Sequence, residues 1–211
     1  MNSNRLFTTL SSYLPWIIGS GAVVMIASNV ITISLNAQYN PISEGISELV
    51  LYPYGWIVTI GITVVAVMHI LLTVITLLSP ASRCHRLVRF AGILFAIISL
   101  GFIIIIVFNT DSGKEIISLT GRIHVVTTVV ISILFPIACA LLTIALWHHR
   151  KSESLIIFSA IIAVVSLFIA WLVMPQNDFG NFGVYERLLA LVNLSWLVMA
   201  GFRLPKLMSI C

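Results

Sequence analysis

A chain of 211 residues that is 60% hydrophobic and only 9% charged has too few polar side chains to cover a water-facing surface, which excludes a soluble globular domain. Its net charge of +4 does not point to nucleic acid. The basic residues sit at the ends of apolar stretches, where they set topology and meet anionic lipid headgroups, so membrane lipids are the expected partners and nucleic acid is not.

Hydropathy divides the chain into six apolar stretches, 15–37, 54–79, 87–108, 121–147, 155–174 and 185–204. Each approaches or exceeds the roughly 20 residues that cross a ~30 Å hydrocarbon core as a helix. Uninterrupted apolar runs of this length predict helices, since barrel strands would alternate over segments of about ten residues. The expected fold is all-α: one polytopic bundle of six transmembrane helices occupying 1–211 as a single domain. The first stretch has one basic residue before it and no small-x-small cleavage site, so it reads as a retained helix and not a cleaved signal.

The charges sort by side. Arg5, Arg83, Arg86, Arg89, Arg150, Lys151, Arg203 and Lys206 fall on one face of the predicted bundle with a single acid, Glu153. Glu44, Glu48, Asp111, Glu115, Asp178 and Glu186 fall on the other, with Lys114, Arg122 and Arg187. The positive-inside rule makes the first face cytoplasmic, so both termini are expected inside. Scarce lysine, abundant isoleucine and the lack of an outer glycosylation sequon lean toward a prokaryotic cytoplasmic membrane. Cys84 and Cys211 are expected inside and Cys139 within a span, so no disulfide framework is expected. No Cys-x-x-Cys or paired-histidine spacing predicts a metal site.

The inner turns at 80–86 and 148–154 are short, whereas the outer segments 38–53, 109–120 and 175–184 are longer and more polar. In the first, Ile42, Ile46, Leu49 and Val50 recur at helical spacing opposite Glu44 and Glu48. This predicts a short helix at the bundle mouth, capped by Asn40 or Ser43 and ended by Pro53. Arg122 and His124 are expected in the first turn of span four, and Glu186 and Arg187 in the first turn of span six. Asp111 follows span three, and Ser47 and Glu48 precede span two.

Ionisable residues at such depth are costly and pair or face the bundle interior. Two readings stay open. In one, His124, Asp111 and Glu186 serve as general acid and base, and Arg122, Arg187, Ser47 and Glu48 bind a ligand. In the other, the same groups form a structural network of ion pairs such as Arg122 or Arg187 with Asp111 or Glu186. Ser47 carries no local mark of an activated nucleophile.

Span four continues inward as His124, Thr128, Ser132 and Phe135 on one face. Span six presents Glu186, Ala190, Asn193, Leu197 and Ala200, and span two presents Gly55, Thr59, Ala66, His69 and Thr73. Stripes of small and polar residues pack helices in lipid. His69 has no second histidine at matching depth on another span, so haem is not expected. The ring is expected to hydrogen-bond a neighbouring helix, and no other cofactor is implied.

Four elements together resemble a known family: Ile46-Ser47-Glu48-Leu49, Asn109-Thr-Asp111, Arg122-Ile-His124 and Gly183-Val-Tyr-Glu186-Arg187-Leu188. Their order and spacing are similar to the family catalogued as domain of unknown function 998, six-helix prokaryotic membrane proteins. The resemblance implies that Ser47, Asp111, His124, Glu186 and Arg187 stand at the family's polar positions, and it implies no reaction. Val50 stands where the family often has glycine. The expected function is an outward pocket binding or processing a lipid-like or anionic amphiphile. The alternative is a non-catalytic subunit or assembly factor of a larger membrane complex. A transporter ranks third, because six spans suffice only if the protein oligomerises and no broken helix with midplane glycine or proline pairs stands out, Pro136 in span four being the one candidate kink.

Overall fold

A computed structural model describes residues 3–112, 118–147, 153–173 and 180–208. Among them every regular element is a helix: α1 Ser3–Leu35, α2 Ile46–Leu49, α3 Gly55–Leu78, α4 Pro80–Cys84, α5 Arg86–Val107, α6 Leu119–Trp147, α7 Glu153–Val173 and α8 Phe182–Met208. Six of these are long and apolar enough to cross a membrane. Lys114, Glu115, the run His148–Lys151, Asp178 and Cys211 lie outside the described residues.

The spans close into a ring: α1 packs on α3, α3 on α5, α5 on α6, α6 on α7, α7 on α8, and α8 returns to α1. All six contribute to the main cluster of buried side chains, for example Ile18, Leu72, Phe95, Leu142, Leu155 and Leu197. The outward side chains of the ring, such as Trp16, Val23, Phe90, Val126, Val164 and Leu191, are exposed and apolar. That is the surface a helix presents to lipid.

Two differences from the sequence reading have physical causes. The end helices are longer than predicted: α1 starts near the chain's beginning because Phe7 and Leu14 are buried in the core, and α8 runs through Pro205 to Met208, both buried. Because α8 begins at Phe182 and α6 at Leu119, Glu186 and Arg187 stand in the second turn of α8 and His124 in the second turn of α6. The inner turn at 80–86 is a short helix, because Pro80 opens it and the Ser79 hydroxyl caps it by accepting the Ser82 N–H at 3.1 Å. The expectation of no disulfide also fails: Cys84 is disulfide-bonded, while Cys139 is free and buried.

Polar side chains in the spans are satisfied in two ways. Ser28, Thr32, Thr63 and Thr143 donate to carbonyls one turn back in their own helices. Others tie helices together: Ser166 donates to Asn193 at 2.8 Å, Trp196 Nε1 donates to Ser159 at 2.8 Å, and Thr73 and Ser99 lie 3.3 Å apart.

Candidate functional site

On the face that carries α2, the segment between α1 and α3 folds over the mouth of the ring. A chain that leaves helical geometry here exposes carbonyls that no helix satisfies. The Arg187 guanidinium supplies the donors. Its Nη1 donates to the carbonyls of Pro41 (2.9 Å), Glu44 (3.0 Å) and Gly183 (2.8 Å), and its Nη2 donates to the Tyr39 hydroxyl. The guanidinium carbon also lies 5.4 Å from the centre of the Tyr39 ring. The Tyr39 hydroxyl itself faces the Glu44 and Gly45 carbonyls at 2.7 and 2.6 Å.

Glu186, one residue earlier on α8, completes the clasp. Its carboxylate accepts the N–H of Ile46 at 2.7 Å and that of Ser47, the first amides of α2. Glu48 reaches back to the Gly45 N–H at 2.8 Å, so α2 is capped by Gly45 and Glu48 where the sequence suggested Asn40 or Ser43. Asn40 instead turns the chain ahead of it, its side-chain oxygen accepting the Ile42 N–H at 3.0 Å.

Two glycines permit this approach. A Cβ on Gly45 would stand 2.0 Å from the Glu186 carboxylate, and one on Gly183 would stand 2.1 Å from the Glu44 carbonyl. Val50 adopts φ −61° and ψ −27°, a conformation any residue accepts.

The other predicted site residues go elsewhere. Asp111 accepts the Ser118 N–H (2.9 Å) and hydroxyl (2.5 Å), and Ser118 accepts the Gly121 N–H at 2.9 Å, which caps the start of α6. The His124 ring nitrogen Nδ1 lies 2.8 Å from the Phe108 carbonyl, with the Ile105 carbonyl a second acceptor, so this histidine closes the end of α5. Arg122 is exposed on the first turn of α6.

Beneath the α2 segment lies a cavity of about 160 Å³ between α3, α5, α6 and α8. It is comparable in size to a core cavity of ~150 Å³ that binds benzene. Ser47, Asn109, Thr110, His124 and Glu186 line its mouth, and Ile62, Val65, Ile105, Ile131 and Leu194 its middle. Along α3 the lining runs from Thr59 to His69, a length of about 15 Å. His69 and Phe135 are the last lining residues of α3 and α6.

Below them an aromatic stack closes the ring. His69 lies on Phe102 at 4.7 Å and edge-on to Phe135 at 6.2 Å, Phe135 meets Trp196 at 5.4 Å, and Trp196 stacks on Phe95 at 5.5 Å.

Of the predicted residues, the cavity thus gathers Ser47, His124 and Glu186, and the latch uses Glu48, Glu186 and Arg187. Asp111 and Arg122 do not line the cavity. The stripe His124, Thr128, Ser132 and Phe135 lines it in full. His69 bonds its own helix, with Nδ1 2.9 Å from the Val65 carbonyl, contrary to the expected neighbour. Tyr39 and Trp196 were missed as contributors. For Trp196 a signal existed, since tryptophan usually sits at the membrane interface and this one is well inside a span.

The fold and site define a six-helix membrane protein with a latched segment over an internal cavity. Residues 18–203 match the family model described as Protein of unknown function (DUF998), and the chain belongs to that family. No curated protein and no solved structure matches it.

Arg187→Lys should open the latch, because an ammonium cannot present donors in the fork geometry of a guanidinium. With hydrogen bonds to charged groups contributing roughly 1.5–3 kcal/mol each, we expect at least tenfold faster chymotrypsin cleavage within 36–54. Cleavage at the wild-type rate would show that the latch does not hold the segment.

The latch tyrosines also carry a pH signature. Burial raises Tyr39 to about 12 against the opposing Arg187, and the hydrogen bond from Tyr52 to the Glu44 carboxylate at 2.5 Å, with burial, raises Tyr52 to about 12. Both pKa values exceed the ordinary 10.0, so their stabilisation is complete below pH 10 and is lost as pH rises through about 12. In a tyrosinate absorbance titration, Tyr39→Phe and Tyr52→Phe should each remove one late-ionising group. Removal of an ordinary one would contradict the assignment.

Proposed function

We propose that the protein binds an uncharged, lipid-like amphiphile, whose apolar part occupies the cavity beneath the α2 segment. The observation that supports this reading is the lining: a polar mouth leads into a long apolar interior. Among the described lining residues there is no lysine or arginine. Of the two basic residues predicted to hold an anion, Arg187 is committed to loop carbonyls and Arg122 is exposed. An anionic headgroup would meet Glu186 and find no counter-charge in the lining, so the neutral class fits the site better than the anionic one.

The same bonding favours binding over catalysis. His124, Asp111 and Glu186 hydrogen-bond backbone groups at helix ends or in the cap. A catalytic dyad would need one of them to turn away from those partners.

Filling the cavity tests the proposal. Ala190 lines it and is only half-buried, so Ala190→Trp places a large ring in the void, while Ala190→Ser controls for substitution as such. Protein purified from membranes in mild detergent should carry a co-purifying neutral amphiphile detectable by mass spectrometry of a solvent extract. The tryptophan variant should carry at least tenfold less, and the serine variant the wild-type amount. An undiminished load in the tryptophan variant would sink the idea.

The mouth faces outward in this proposal, because the basic residues gather on the opposite face. With the native cysteines replaced by serine, Ser43→Cys on the exposed cap should react with a membrane-impermeant maleimide in intact cells. Reaction only after lysis would reverse the orientation.

A further inference from the structure

Below its mouth the cavity carries two polar atoms that the described residues leave unused. His69 is only 2% exposed, and its Nε2 has no hydrogen-bond partner among the described residues. A carbonyl can only accept, so the 2.9 Å contact with Val65 puts the ring proton on Nδ1 and leaves Nε2 of the neutral ring a bare acceptor. The ring cannot swing to find a donor, because Phe102 stacks on one face and Phe135 abuts it.

Thr128 is the second such atom. Thr32, Thr59, Thr63 and Thr143 each donate to the carbonyl four residues back, as helix threonines usually do. Thr128 does not, nor does Thr76, and of the seven buried side-chain atoms without a partner among the described residues only His69 Nε2 and Thr128 Oγ1 belong to residues that line the cavity. Both residues line the same cavity from facing walls, His69 on α3 and Thr128 on α6. Buried polar groups in native proteins are nearly always satisfied, so two orphans in one apolar chamber point to a missing partner.

We propose that the cavity holds a hydroxyl subsite between its mouth and its floor: a ligand O–H donates to His69 Nε2 and accepts from the Thr128 hydroxyl. This rests on the cavity-binding reading above and sharpens it. The ligand is an uncharged alcohol whose hydroxyl enters first and lies deep in the bundle, with its apolar body against Ile62, Ile131 and Leu194. A ligand lacking the hydroxyl leaves both atoms unpaired, and such sites discriminate strongly against it. A carboxylate is disfavoured because it brings no proton for Nε2 and a charge into the apolar interior.

The test compares n-octanol with n-octane on the purified full-length protein in detergent. Trp16, Trp56, Trp147 and Trp171 are replaced by Phe, so that fluorescence reports Trp196, which meets Phe135 beneath the subsite. Affinities are expressed against each probe's concentration in the micelle. We expect n-octanol to bind roughly tenfold more tightly than n-octane, the worth of one to two net hydrogen bonds. His69→Leu and Thr128→Val should each bring the ratio close to unity while n-octane binding persists, and Thr128→Ser should retain the preference. The second helix keeps the test alive if the histidine variant fails to fold.

Equal binding of the two probes to the wild type would mean that water alone serves the orphan atoms, which overturns the subsite and leaves the cavity reading standing. A preference that survives both variants would place the hydroxyl at the mouth, and it too overturns the subsite. If neither probe perturbs Trp196, both readings are overturned.

Discussion

Where a chain departs from helical geometry at the rim of a bilayer, its carbonyls need donors that neither the helix nor the hydrocarbon provides, and in this protein one guanidinium supplies them. Arg187 reaches the Pro41, Glu44 and Gly183 carbonyls and the Tyr39 hydroxyl from a single position on α8. Lysine would offer the charge without the fork. Because Glu186 holds the first amides of α2 from the adjacent position, two consecutive residues fasten a segment that is far away in the chain. The Gly45 and Gly183 backbones must approach closely for this to happen, and a single methyl at either would collide with the clasp.

The cavity depends on that clasp. The ring of spans is filled on the opposite side by large buried side chains such as Leu72, Ile75 and Leu142, and by the Phe95–Trp196–Phe135 stack. Above that floor the inward residues are smaller or polar, with Thr59, Thr128, Ser132, Ala190 and Asn193 where the floor has rings. Ile46, Ser47 and Val50 line the space these leave from the side of the α2 segment. Cap and chamber thus share the α2 segment, and without the small residues that segment would rest on a packed core.

Much of this was legible along the chain. The stripe of His124, Thr128, Ser132 and Phe135 lies on one helical face by spacing alone, and that face lines the cavity. The acids and bases at the mouth could also be read, but their pairing could not. Asp111 and His124 suggest a dyad when seen as nearby polar residues at one depth, yet Asp111 caps α6 through Ser118 and His124 closes α5 at Phe108. Helix ends carry orphan N–H and C=O groups, and a nearby polar side chain is drawn to them first. His69 likewise found its partner in its own helix, since the carbonyl four residues back is always within reach.

The sequence by itself determined that the chain is a membrane-spanning helical bundle with its polar chemistry gathered at one face, because hydrophobic run length and charge placement are local properties that the bilayer reads directly. It also determined which helix faces are small and polar, through the period of 3.6 residues. Only the tertiary structure decided which stripes meet around a void and which polar groups are consumed by backbone. It also decided that His69 Nε2 and Thr128 Oγ1 remain unclaimed. Those outcomes turn on contacts between residues as distant as Tyr39 and Arg187, and no local spacing encodes them.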